Sequence, residues 1–183
     1  MKYMLYSYEQ CIQIYKTDYQ IRKQIDAKKL FKLEKGVYSD DRYESDIAVV
    51  KMKYPNAVFT LNSAFYFHGL TDTIPRMYYL ETHKDATKIR DKKVKQIFDN
   101  HKSMELGVME MEYDGSKIKV FNKERLLIEL IRNKNKLPFD YYKEIIGNYR
   151  KLIRELDIQK VHEYALALPK SNMVMEVIQM EVL

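Results

Sequence analysis

The dipeptide Asp114-Gly115 stands between two segments that alternate in character, "MELGVMEMEY" and "SKIKVF". Asp-Gly tolerates the positive-φ backbone of a two-residue hairpin, so "YDGSK" predicts two strands joined by a tight turn. From Asn122 onward the period changes to that of helices. "NKERLLIELIRNK" offers Asn122 as a cap and Leu126, Leu127, Leu130 and Ile131 as a buried stripe. "FDYYKEIIGNYRKLIREL" carries a second stripe through Tyr142, Ile145, Ile146, Tyr149 and Ile153. "DIQKVHEYALAL" and "SNMVMEVIQMEVL" follow, with Asp157 and Ser171 as caps. Strands followed by a run of helices predict an α+β chain with a mixed α/β domain that ends in a helical bundle.

Upstream of the hairpin, Tyr43, Ile47 and Val50 form a helical stripe that Pro55 ends. "TLNSAFYFHGL" begins at a Thr60 cap and stops at Gly69, a C′ glycine. "PRMYYLETH" reads as a strand. The basic segment "KDATKIRDKKVKQIFDN" receives no assignment.

The first forty residues read helix, turn, helix, ribbon. Tyr8, Ile12 and Tyr15 share one helical face, and Thr17 caps the next helix. In that helix Ile21 and Ile25 face one way, and Tyr19, Arg22, Lys23 and Asp26 the other. "LFKLEKGVYS" then reads as two short strands about Gly36. A helix followed by a two-stranded hairpin is the layout of a winged helix. A complete winged helix has three helices before its wing, and only sixteen residues precede Thr17. The first helix is therefore missing, fused into "MKYMLYSYEQ", or replaced by packing from the larger domain. The expected division is a winged-helix-like module over residues 1–40 and a larger domain over 41–183.

Charge singles out the same segment. The net charge is +6, and residues 1–36 hold Lys2, Lys16, Arg22, Lys23, Lys28, Lys29, Lys32 and Lys35 against Glu9, Asp18, Asp26 and Glu34, a surplus of four. Two readings compete: a solvated lysine-rich helix with a hairpin after it, or a reading helix and wing on duplex DNA. On the second, Thr17, Tyr19, Gln20, Arg22 and Lys23 lie at the base-reading end, and Lys28, Lys29, Lys32, Lys35 and Tyr38 follow the backbone.

The remaining composition bounds the class. Hydrophobic residues make up 46% and charged residues 32%, a globular balance. No run of ~18 apolar residues is present to span a membrane, and the N-terminus makes a poor signal peptide. The single cysteine, Cys11, reads as a buried apolar residue and suits a reducing cytosol. No nucleotide-loop glycine pattern, zinc motif or nucleophile elbow occurs, so neither a cofactor nor a metal is expected, and the chain reads as a non-enzyme. His68, His83, His101 and His162 are scattered and read as structural or solvent-facing. Glu110 and Glu112, with Lys117 and Lys119 across the hairpin, permit a metal-dependent nuclease. The simpler reading is a solvated strand face with cross-strand pairs. Glu124-Arg125 at a helix start is a second catalytic candidate; Glu124 suits the helix dipole, Arg125 and Arg132, seven apart, could share a face, and the simpler reading is a buried structural salt bridge.

"YPNAVFTLNSAFYFHGLTDTIP" resembles the signature of the AbiEi family, antitoxins of type IV (abortive-infection) toxin–antitoxin systems. The matching positions are Tyr54, Pro55, Ser63, Ala64, His68, Gly69, Leu70, Thr71, Asp72 and Pro75. "LEKGVYS", "ELGV…YDGSKIKVFNKERLLIELIR" and "YYKEIIGNYRKLI" match in order. The resemblance implies an N-terminal winged helix that binds promoter DNA and represses its operon. It also implies a C-terminal domain that counteracts a nucleotidyltransferase-like toxin, in direct contact or not. One short module makes a small interface, so more than one copy is expected on the DNA. The chain is not such a toxin: Gly115-Ser116 lacks the paired aspartates that follow in those enzymes. The alternative from another class is a protein-interaction antitoxin that no longer reads DNA.

Overall fold

The computed structural model describes residues 4–182, and for His101 and Lys102 the backbone alone. Lys2 and the side chain of His101 thus lie outside the described residues. The chain is α+β and divides into two compact units. The first runs to Asn56 and includes the turn Asp114–Ser116; the second holds the remainder.

In the first unit, β1 (Leu5–Ser7) leads into α1 (Tyr8–Tyr15) and α2 (Asp18–Asp26). A hairpin of β2 (Phe31–Glu34) and β3 (Val37–Ser39) follows, then α3 (Asp46–Lys53). The strands form one antiparallel sheet in the order β1-β3-β2. Ser7 and Gln10 make a reciprocal capping box at α1. Thr17 Oγ1 accepts from the Gln20 amide at 3.3 Å and starts α2. Cys11, Ile21, Leu30 and Tyr38 form the core, with Tyr6, Ile12, Tyr15 and Ile25 packed on it. Cys11 is buried, and burial pushes its thiol up from the usual range.

The α3 helix begins later than the Tyr43 stripe suggests. Ser45 caps it, accepting from the Ile47 amide, and Tyr43 lies outside, 83% exposed. It buries Ile47, Val49 and Val50 and packs against β1 and β3. The compact unit therefore extends past residue 40 to Asn56.

The second unit contains β4 (Val58–Phe59), α4 (Leu61–Phe67), β5 (Tyr78–His83), β6 (Val94–Asp99), α5 (His101–Met104), β7 (Val108–Tyr113) and β8 (Ser116–Phe121). After them come α6 (Lys123–Arg132), α7 (Phe139–Leu152), α8 (Ile158–Ala167) and α9 (Ser171–Val177). Its five-stranded sheet has the order β6-β5-β4-β8-β7. β4 runs antiparallel to β5 and parallel to β8, and β6 runs parallel to β5. Asp114 and Gly115 take φ of +47° and +71° at the predicted turn, the positive pair that a type I′ hairpin needs. β6 lies in the basic segment left unassigned above.

α6 is buried on every side from Arg125 to Ile131, and α4, α8 and α9 pack against it. Asn122 and Asp157 cap as expected. Ser171 does not: Lys170, at φ +69°, takes the cap position and Ser171 is the first helical residue. The motif residues of "LNSAFYFHGL" serve the fold. Ser63 Oγ accepts from the Tyr79 amide at 2.8 Å, tying α4 to β5. His68 Nε2 lies 2.8 Å from the Phe121 carbonyl oxygen. A carbonyl only accepts, so Nε2 carries the proton, and burial lowers the His68 pKa and favours the neutral ring.

Arg125 is 0% exposed and sits at the centre of a charge cluster. Its guanidinium donates to Glu129 at 3.0 Å, the Ser103 carbonyl at 2.8 Å and Asp99 at 3.2 Å, with Glu81 at 3.6 Å. Arg132 meets Glu129 at 2.7 Å, so the two arginines share one acid. Glu81 is only 2% exposed, and its Oε1 has no hydrogen-bond partner among the described residues. Burial, with Glu129 and Asp99 nearby, outweighs Arg125 and pushes its carboxyl up to about 8. The folded chain thus keeps a proton that the unfolded chain releases near ~4.3. Between those values the native state binds more protons, so Glu81 makes the fold less stable as pH rises from ~4.3 towards 8. Glu81→Gln is expected to remove that slope and to gain stability over the wild type at pH ~8.5 more than at pH ~5.5. Urea unfolding at the two pH values measures it.

Candidate nucleic-acid interface

The nine residues of α2 divide as its sequence pattern requires. Ile21 is buried, Ile25 and Gln24 are half-buried, and Tyr19, Gln20, Arg22, Lys23 and Asp26 are exposed. Thr17 caps the helix and Asp18 sits in its first turn, where a carboxylate suits the helix dipole. Asp18 also accepts from the Tyr8 hydroxyl at 2.9 Å, which joins α1 to α2 and raises the Tyr8 pKa.

The cations beyond α2 are equally open. Lys28 and Lys29 lie in the turn leading to β2, Lys32 is on β2, and Lys35 is in the two-residue connection to β3. Gly36, at φ +80°, closes that connection, and its carbonyl accepts from the Tyr8 amide at 3.1 Å. The hairpin tip is thereby pinned to the start of α1. Among the described residues, Arg22, Lys23, Lys28, Lys29, Lys32 and Lys35 make no ion pair. Glu34, the acid of the hairpin, is held by Lys53 at 2.6 Å, so it does not cancel Lys32 and Lys35.

Tyr38 requires a correction. It was expected on the DNA-facing surface, but it is 7% exposed and belongs to the core with Cys11, Ile21 and Leu30. β1 pairs with the far side of β3, making β3 the central strand rather than the outer arm of a hairpin. Burial also raises the Tyr38 pKa. Thr17 is exposed, but its hydroxyl is engaged in the cap. Lys16, unselected from the sequence, joins the exposed cations at the bend between α1 and α2, at φ +70°. The signal available was its place directly before the Thr17 cap.

No protein-family model and no curated protein matches this sequence.

The other candidates disperse. Glu110 and Glu112 are exposed on β7, and Lys117 and Lys119 are exposed on β8. Among the described residues, no three His, Cys, Asp or Glu side chains are grouped to hold a metal ion. His68 bonds the Phe121 carbonyl, His83 lies 3.4 Å from Asp85, and His162 faces outward. No described helix is long and apolar enough to cross a membrane.

Proposed function

We propose that the first unit binds double-stranded DNA through α2 and the β2–β3 hairpin. The chain would then act as the antitoxin and autorepressor of a type IV toxin–antitoxin operon, its larger unit counteracting a nucleotidyltransferase-like toxin. The observation that carries the DNA reading is the set of six exposed, unpaired cations between Arg22 and Lys35, with Asp26 the one exposed acid among them. Each phosphate contact that such cations make on DNA would release condensed counterions. The element order β1-α1-α2-β2-β3 with sheet order β1-β3-β2 supports a winged-helix reading. In that reading α3, packed on β1 and β3, takes the place of the missing first helix. The antitoxin half of the proposal rests on the motif resemblance around Ser63, His68 and Gly69.

Tyr19, Gln20, Arg22 and Lys23 would meet base edges, and Lys28, Lys29, Lys32 and Lys35 phosphates. The double substitution Lys32→Ala/Lys35→Ala is expected to weaken binding to every duplex sequence alike. It should flatten the plot of log affinity against log salt by about 1 per lysine. Fluorescence anisotropy over a salt series on DNA from upstream of the gene measures both. An unchanged slope contradicts the phosphate assignment. If the same variant still protects cells co-expressing the toxin, DNA binding and neutralisation reside in separate parts of the chain.

A further inference from the structure

Asp26 is the last residue of α2, where two effects disfavour an acid and no ion pair offsets them. A carboxylate at a helix C-terminus meets the negative end of the helix dipole. Asp26 follows Arg22 and Lys23 at i+4 and i+3 and is exposed with them, yet among the described residues it pairs with neither. On a surface that meets phosphates, it also repels them. No close ion pair within α2 and no gain in general DNA affinity accounts for an acid there.

Its register does. Tyr19, Arg22, Lys23 and Asp26 stand at i, i+3, i+4 and i+7, all exposed, while Ile21 on the opposite face is buried. They make one ridge about 10 Å long, the spacing a helix uses when it lies in the major groove and presents side chains to base edges. There a carboxylate is an acceptor with no donor of its own. Its complement is an exocyclic base amine, N4 of cytosine or N6 of adenine. We infer that Asp26 is a specificity-determining residue of α2, accepting a hydrogen bond from an exocyclic base amine in the major groove. The inference rests on the DNA-binding reading above. Asp26 lowers affinity for every sequence through its charge and recovers it only where an amine stands opposite, so it discriminates by rejecting other sites.

The test compares the full-length wild type, Asp26→Ala and Lys32→Ala/Lys35→Ala by selection from randomised duplexes. Affinities are then measured for the selected site and its single-base-pair variants. The wild type is expected to demand cytosine or adenine at one position, and the base selected tells which amine is bound. Asp26→Ala should lose roughly tenfold discrimination at that position and keep the preferences elsewhere. The lysine variant should keep the preference with weaker binding throughout. If Asp26→Ala discriminates as the wild type does, or only gains affinity equally for all sequences, the inference falls while the DNA reading stands. If the wild type selects nothing and the lysine variant changes nothing, the DNA reading fails and takes the inference with it.

Discussion

Arg125→Ala is expected to destabilise the larger unit by about 3–5 kcal/mol, the usual cost of removing one partner from a buried ion cluster. The guanidinium is fully buried and satisfies Glu129, Asp99 and the Ser103 carbonyl at once, with the Phe121 ring 4.7 Å from its central carbon. Without it, the buried carboxylate of Glu129 and that of Asp99 lose their shared cation beside the protonated Glu81. Arg132 reaches Glu129 but, among the described residues, pairs with neither of the other two. Lysine is a poor substitute, since one ammonium cannot serve acceptors spread around a planar fork. Methionine should fail as well unless the acids are also replaced. Urea unfolding at pH 7 gives the comparison, and a loss below about 1 kcal/mol would contradict this account of the cluster.

The second large effect is expected at Gly107, between α5 and β7. Its φ is +76°, and an added Cβ would lie 2.6 Å from Arg125 Cβ and 2.7 Å from Asn122 Oδ1. Both neighbours are fixed. Asn122 caps α6 through that same oxygen, its amide donates to the Gly107 carbonyl at 2.7 Å, and Arg125 is held by its acids. Gly107→Ala therefore combines left-handed strain with overpacking, together roughly 2–4 kcal/mol. By contrast, Gly115→Ala meets nothing within 4 Å and should lose only the turn preference. Thermal unfolding of the two variants separates steric from conformational cost, and equal losses would contradict the close contact.

Much of this architecture was legible because local chemistry fixes it. Asn122, Asp157 and Thr17 cap where Asx and Thr residues precede apolar stripes. The division of α2 into an Ile face and a charged face follows from 3.6-residue periodicity alone. The failures mark places where tertiary packing decides. β6 was missed because "VKQIFD" alternates poorly; it is an edge strand that pairs on one side with β5, and polar residues are tolerated there. Tyr38 was misplaced because β1, only three residues long, gives no pattern that announces a third strand beside β3. A bulge between Lys32 and Glu34 blurs the alternation of the hairpin further. The salt bridge around Arg125 and Arg132 was readable, but its partners Glu81 and Asp99 are brought by β5 and β6, whose pairing no local pattern reveals.

At the candidate interface, exposure of Arg22 and Lys23 followed from the helix period. The isolation of Lys32 and Lys35 did not, because it depends on Lys53 of α3 occupying Glu34. A sequence shows that charges are near one another along the chain; whether they cancel depends on which partner reaches the acid.

The central claim is that α2 and the β2–β3 hairpin form the surface that meets DNA. Lysine-acetylation footprinting of the full-length chain, with and without duplex from upstream of its gene and read by mass spectrometry, tests it most directly. The account predicts protection at Lys23, Lys28, Lys29, Lys32 and Lys35 and unchanged reactivity at Lys143, Lys151 and Lys160 of the larger unit. Protection confined to the larger unit's lysines, with the α2 and hairpin lysines as reactive as in the free chain, would contradict it.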